Sequence, residues 1–152
     1  MGLKACPLCF YQRSFAMGVV AVLFVGLLTA KKHWCVLNLL ALPLAVAGFG
    51  VAVFHVYLEL SGKLECPSGV LGLGTAPQQS LAVFGVLLAV IAFGVARDHI
   101  SDAPQSVAAI GGVVLGVLLA VGCIVSAPPL PPTPTKPYDA AMDMCRPPYR
   151  AP

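Results

Sequence analysis

Four long apolar stretches leave this chain little choice of fold. Spanning a bilayer takes about 20 apolar residues, within a range of about 17 to 25. Residues 14–30, 35–57, 80–96 and 107–126 each meet that requirement. Only 10% of the residues are charged, against roughly 25% in a soluble domain. Inside lipid every backbone N–H and C=O must find a partner within the protein, so the expected fold is an all-α membrane protein, a bundle of four transmembrane helices. The domain reading is a transmembrane unit over residues 1–126 and a Pro-rich tail over residues 127–152. Only five residues precede Cys6, without a basic stretch or a cleavage site, so the first apolar segment is expected to direct insertion itself.

The connections differ in character. Lys31-Lys32-His33 and Arg97-Asp98-His99 mark tight turns on one side. Residues 58–79 carry Gly62, Gly69, Gly72, Gly74, Pro67 and Pro77, which predicts an irregular loop. The tail opens on Ala-Pro-Pro-Leu-Pro-Pro-Thr-Pro-Thr-Lys-Pro, a semi-rigid polyproline II spacer. Pro43 falls inside the second span, where neighbouring helices can cover the freed carbonyl, so a kink is expected and not a break. Gly112 and Gly116 form a GxxxG pair in the fourth span, which predicts close helix packing. A net charge of +3, scattered along the chain, gives no nucleic-acid surface.

With four spans, the amino terminus, the 58–79 loop and the tail share one side. Cys6, Cys9, Cys66 and Cys145 all fall there, whereas Cys35 lies at the opposite face and Cys123 inside the fourth span. Cys35 and Cys123 read as small packing residues, and His33 and His99 as solvated turn residues. A raw count of basic residues would put the thiol side in the cytoplasm: Lys4, Arg13, Lys63, Lys136, Arg146 and Arg150 lie there, against Lys31, Lys32 and Arg97 opposite. Arg13 is set aside as a site residue and the tail charges as distant from the membrane. Redox compartment decides the other way, because paired thiols persist as disulfides outside the cytoplasm.

Cys6-Pro7-Leu8-Cys9-Phe10-Tyr11-Gln12-Arg13 carries the chemistry. Two thiols at CxxC spacing can open and close a disulfide without moving a domain, although zinc sites use the same spacing. At a helix start, Cys9 feels the positive end of the helix dipole, which favours a thiolate. Arg13 lies four residues on and projects from the same helix face. A fixed cation there can stabilise the thiolate and a neighbouring oxygen that gains negative charge.

This motif resembles the signature of the DsbB-type disulfide-forming membrane proteins. His55-Val-Tyr-Leu-Glu59, at the end of the second span, is similar to that family's His-aromatic-Leu stretch near the quinone. The resemblance implies a bacterial inner-membrane oxidoreductase with its redox thiols facing the periplasm. Such a protein reoxidises a DsbA-like thioredoxin-fold partner and passes the electrons to a membrane quinone (ubiquinone or menaquinone). It implies that Cys9 meets the quinone, that Cys6 receives attack from a second pair, that Cys66 and Cys145 form that pair, and that Arg13 and His55 bind the quinone. Residues 127–145, extended at about 3.1 Å per residue, reach about 50 Å, enough to return Cys145 to the Cys66 loop. Glu59, Tyr11 and Gln12 are weaker candidates, since local partners would explain polar groups at this depth equally well.

Two departures from the family stand out. Family members carry a helix before the CxxC, and they hold the second pair within one loop, whereas Cys145 here lies beyond a further span. One arrangement accounts for both, a circularly permuted bundle in which the fourth span replaces the first helix; the alternative is a misplaced start that hides an upstream helix, giving five spans with unchanged sides. Two other functions fit the thiols. One is a vitamin K epoxide reductase-like quinone reductase, in which the CxxC would open the last helix and not the first. The other is a non-enzymatic metal-binding membrane protein.

Overall fold

The computed structural model describes residues 6–28, 34–69, 72–99, 103–134, 136–139, 142 and 144–149; the side chains of residues 34–35, 98–99 and 103–106 lie outside this set. Lys4, the Lys31–His33 turn, Arg150 and the side chains of Cys35 and His99 therefore fall outside the described structure. The described residues form four helices: α1 (Pro7–Leu28), α2 (Trp34–Leu60), α3 (Ala76–His99) and α4 (Ala103–Ser126). All four contain a stretch long and apolar enough to cross a membrane. The fold is the expected all-α four-helix membrane protein. Met17, Phe24, Leu27, Val90, Phe93 and Val125 are exposed along the helices. A helix apolar all round, with large side chains pointing outward, suits lipid as its surroundings.

α1 begins at Pro7, well before the apolar run that starts near residue 14. Proline is favoured at the first helical position, where its missing N–H removes a donor that would have no partner anyway. The Cys6 carbonyl accepts the first helical bond from the Phe10 N–H at 3.1 Å, so Cys6 is the N-cap. The polar residues 11–14 therefore sit inside the helix. Ser14 manages this by donating its hydroxyl to the Phe10 carbonyl at 3.0 Å.

α2 is the central helix, and α1, α3 and α4 all pack against it. It runs unbroken through Pro43. The GxxxG pair of α4 lies against this stretch. A Cβ on Gly116 would stand 2.7 Å from the Pro43 carbonyl oxygen and 2.6 Å from the Val46 Cβ, while Gly112 faces Leu42 at 3.4 Å. Neighbouring Gly111 meets nothing within 4 Å. The glycines thus let two backbones approach where van der Waals contact is the main attraction. One core cluster joins Val19 of α1, Ala41, Leu42 and Ala45 of α2, and Ile91 and Val95 of α3. A second, at the end carrying the CxxC, joins Leu8, Val51, Leu58, Leu64 and Ala120; Cys123 packs against it, in keeping with its reading as a packing residue.

The loop after α2 and the tail meet at this second end. Glu65 and Arg146 exchange both backbone hydrogen bonds, at 2.8 and 2.9 Å, in an antiparallel bridge. The Arg146 guanidinium lies over the Tyr138 ring, 3.8 Å from its centroid, and the Tyr138 hydroxyl donates to the Pro147 carbonyl at 2.9 Å. The tail therefore folds back and is fastened to the loop. A second bridge, Ser68 to Thr75, closes the loop, with Gly72 and Gly74 at positive φ making the turn.

Candidate functional site: two cysteine pairs around a buried histidine

The Glu65–Arg146 bridge brings the neighbouring residues Cys66 and Cys145 together, and a disulfide joins them. Cys6 and Cys9 are free thiols at the start of α1. His55 comes from the last turns of α2 and has no exposed surface. Its Nε2 lies 3.6 Å from the Cys66 sulfur and its Nδ1 3.5 Å from the Gln12 amide nitrogen. Donor atoms of Cys6, Cys9, His55 and Cys145 all lie within 4.8 Å of one another. An inner dithiol and an outer disulfide are thus within reach of thiol exchange, which needs attack of a thiolate on a disulfide sulfur.

Electrostatics favour Cys6 as a thiolate. Its pKa is lowered from the ordinary thiol value to about 4, chiefly by the hydrogen bond from the Cys9 thiol, with further help from His55 and from the Cys9 backbone N–H. Burial opposes this and is overcome. The backbone contribution follows from the fold, since an N-cap side chain accepts from the N–H three residues on. The low-pKa sulfur is therefore the one at the helix cap.

Arg13 is exposed on the next turn of α1. It shares with Cys9 and Gln12 a cleft of about 390 Å³ between α1 and α3, whose other wall includes Ser80, Val83 and Phe84. On the opposite side of the cluster a more apolar cavity of about 430 Å³ is lined by Cys6, Leu58, Ile124, Pro129, Met144 and Cys145. The structure thus brings five expected residues, Cys6, Cys9, Cys66, Cys145 and His55, into one cluster and sets Arg13 on the cleft beside it. His55 lies inside the cluster, and the residues lining the Arg13 cleft do not include it.

The weaker candidates divide. Tyr11 pairs with Ser126 at 3.5 Å and Glu59 accepts from Thr75 at 2.9 Å, both local partners. Gln12, only 4% exposed, faces Nδ1 of the cluster histidine. A signal for it was present, because Gln12 shares a helix face with Leu8 and Val19, which are both buried.

Four membrane-length helices carrying a dithiol against a disulfide define a multi-pass membrane protein of the thiol–disulfide exchange class. The family described as "Disulfide bond formation protein DsbB" matches residues 1–77. The chain is 31% identical to the "Probable disulfide formation protein" of Chlamydia trachomatis serovar D over 94 residues, covering 55% of this chain and 67% of the relative. It is 28% identical to the protein of that name in Chlamydia muridarum over 103 residues, 61% of this chain and 74% of the relative. It is 32% identical to "Disulfide bond formation protein B 1" of Pseudomonas fluorescens strain Pf-5 over 72 residues, 47% of this chain and 43% of the relative. No solved structure matches. The chain belongs to the DsbB family and is a disulfide-forming bacterial membrane oxidoreductase. The family match ends in the first turn of α3, so α4 and the tail bearing Cys145 lie beyond it.

Proposed function

We propose that this protein is a thiol:quinone oxidoreductase that reoxidises a periplasmic, DsbA-like thioredoxin-fold partner through Cys66–Cys145 and then Cys6–Cys9. The observation that carries the proposal is the convergence of both pairs on His55, with Cys9 and Arg13 bordering a cleft between α1 and α3. In the relay, a partner thiolate attacks Cys66, forming a mixed disulfide and releasing the Cys145 thiolate. Cys145 attacks Cys6 of the inner disulfide and releases Cys9. The partner's second thiol then displaces Cys66 and leaves oxidised. Cys66 attacks Cys145, re-forming Cys66–Cys145 and freeing Cys6. Each step breaks one S–S bond and makes one, so two electrons finish on Cys6 and Cys9. That end state has the bonding seen here: free inner thiols beside a closed outer disulfide.

His55 supports this order, since an imidazole N–H at Nε2 can donate to the Cys66 sulfur whenever that sulfur leaves as a thiolate. The Cys9–Arg13 cleft suits a quinone head group in its composition: Val83 and Phe84 offer apolar walls, and Arg13 and Gln12 offer donors. Bound there, a quinone would supply a sink for two electrons and two protons. Arg13 would favour negative charge developing beside Cys9. The thiols face the periplasm in this reading, because a disulfide-forming pair requires an oxidising compartment.

The test is quinone reduction by the purified full chain given a reduced thioredoxin-fold partner, followed by the change in quinone absorbance. Wild type is expected to turn over, and Cys9→Ser to fall to the uncatalysed rate. Equal rates for the two proteins would refute the proposal.

A further inference from the structure

The sulfur cluster has a second capacity. Cys6, Cys9, His55 and Cys145 come from the cap of α1, its first turn, the end of α2 and the tail, yet their donor atoms lie within 4.8 Å of one another. A tetrahedral zinc ion with thiolate bonds of about 2.3 Å needs its ligands about 3.8 Å apart. The four groups would have to close by about 1 Å at most. Three thiolates and one imidazole form a complete structural-type zinc shell, and such soft donors disfavour magnesium and calcium. Buried Gln12 faces Nδ1 of His55. With its amide turned over, the Gln12 oxygen accepts from Nδ1–H and leaves the Nε2 lone pair toward the sulfurs. Metal-binding histidines are commonly held through their other nitrogen in this way.

Redox state gates this donor set. Cys145 is bonded to Cys66 and becomes a ligand only when that disulfide opens. Cys6 and Cys9 are ligands only as the dithiol. We propose that the fully reduced protein binds one Zn²⁺ at Cys6, Cys9, His55 and Cys145, and that the bound ion halts thiol exchange. The step is coordination and not electron transfer. Thiol protons leave to water as Zn–S bonds form, and the sulfurs keep their oxidation state. While the ion stays, the exchange-competent thiolates are occupied. Removal by a chelator restores them. The inference needs only the geometry of the cluster and does not rest on the quinone reading.

The test uses the full chain in detergent, reduced or oxidised, titrated anaerobically with Co²⁺ as a spectroscopic probe and then with Zn²⁺. Reduced wild type is expected to take up one equivalent, with the absorption bands of a tetrahedral thiolate site, and to lose them to Zn²⁺. The oxidised protein is expected to show none. Cys145→Ser and His55→Ala should lose the tetrahedral bands, and Gln12→Ala should bind about 10–100-fold more weakly. Cys66→Ser has as many thiols as Cys145→Ser but should bind as tightly as wild type, because its loss frees Cys145. No uptake by reduced wild type would overturn the proposal. So would equal weakening by Cys66→Ser and Cys145→Ser, which would mean that the thiols act as an unspecific sink. Disulfide-forming activity of the metal-free protein is measured separately and reports on the relay alone.

Discussion

Removing the Cys9 thiol should change the pH dependence of its neighbour in a way that reverses sign. In wild type the Cys6 pKa is lowered to about 4, first through the hydrogen bond from Cys9. Above about pH 5, Cys6 is therefore almost wholly thiolate, and its alkylation rate should be flat up to pH 8. In Cys9→Ala the main lowering cause is gone, and the remaining pull of His55 and of the residue-9 backbone N–H is opposed by burial. The thiol then returns toward an ordinary value of about 8.5. A low-pKa thiolate is also a weaker nucleophile. With a Brønsted slope of about 0.45, a difference of about 4.5 pKa units makes the wild-type thiolate about 100-fold slower per ionised sulfur. At pH 5 the variant is only about 0.03% ionised, so wild type should react about 30-fold faster. At pH 8 the variant is about a quarter ionised, and it should react about 25-fold faster than wild type. The profiles should cross near about pH 6.5. The assay is timed iodoacetamide labelling of the reduced protein, with Cys6 located by fragment mass spectrometry. A wild-type rate that climbs steadily from pH 5 to pH 8 would show that Cys6 is an ordinary thiol.

Gly116→Val places new atoms against Val46 and the Pro43 carbonyl, so it should lower stability by about 1–3 kcal/mol, whereas Gly111→Ala, facing open space, should be near neutral; thermal unfolding in detergent measures both. Arg13→Gln removes the cation beside Cys9 and should slow quinone reduction by about 10²-fold at saturating partner. An unchanged rate would remove Arg13 from the site.

The helices were legible because span-length apolar runs have few soluble alternatives. The first apolar run began late, near residue 14, because Tyr11 to Ser14 depress hydropathy, whereas the CxxC motif already marked the helix start that Pro7 and the Cys6 cap fix. Local stereochemistry outweighed composition there. Cys66 and Cys145 could be placed on one side from span parity, but their pairing came only from the family resemblance. The backbone bridge that enforces it, Glu65 with Arg146, joins a loop and a tail without strand periodicity, and the cysteines it pairs are 79 residues apart. The Gln12–His55 pair is hidden for the same reason: a separation of 43 residues becomes a contact only after α1 has packed on α2. What a single helix face can encode, such as Cys9 with Arg13, was readable. What two packed elements create was not.

The two cavities flank the sulfur cluster on different sides, and this bears on how the proposed relay avoids a short circuit. The cavity beside Cys6 and Cys145 is walled by the tail prolines, whereas the cleft beside Cys9 and Arg13 lies between α1 and α3. A protein dithiol approaching the loop and tail would find the outer disulfide there, with Cys6 beside it in the same cavity. Cys9 opens on the other side, toward the helices that carry the apolar surface. The CxxC turn connects the two sides, since Cys6 borders one cavity and Cys9 the other. Electrons can then cross by exchange of a disulfide between adjacent sulfurs, without any helix moving. His55, buried between the pairs, touches the Cys66 sulfur and lies within 4.8 Å of the donor atoms of Cys6, Cys9 and Cys145, so one side chain contacts both ends of the crossing. Lengthening the turn by one residue between Cys6 and Cys9 should uncouple the sides: alkylation of each thiol would persist, while electron transfer from partner to quinone would fall to background. Retained turnover in that insertion variant would mean that electrons reach the cleft by a route that does not pass through the CxxC turn.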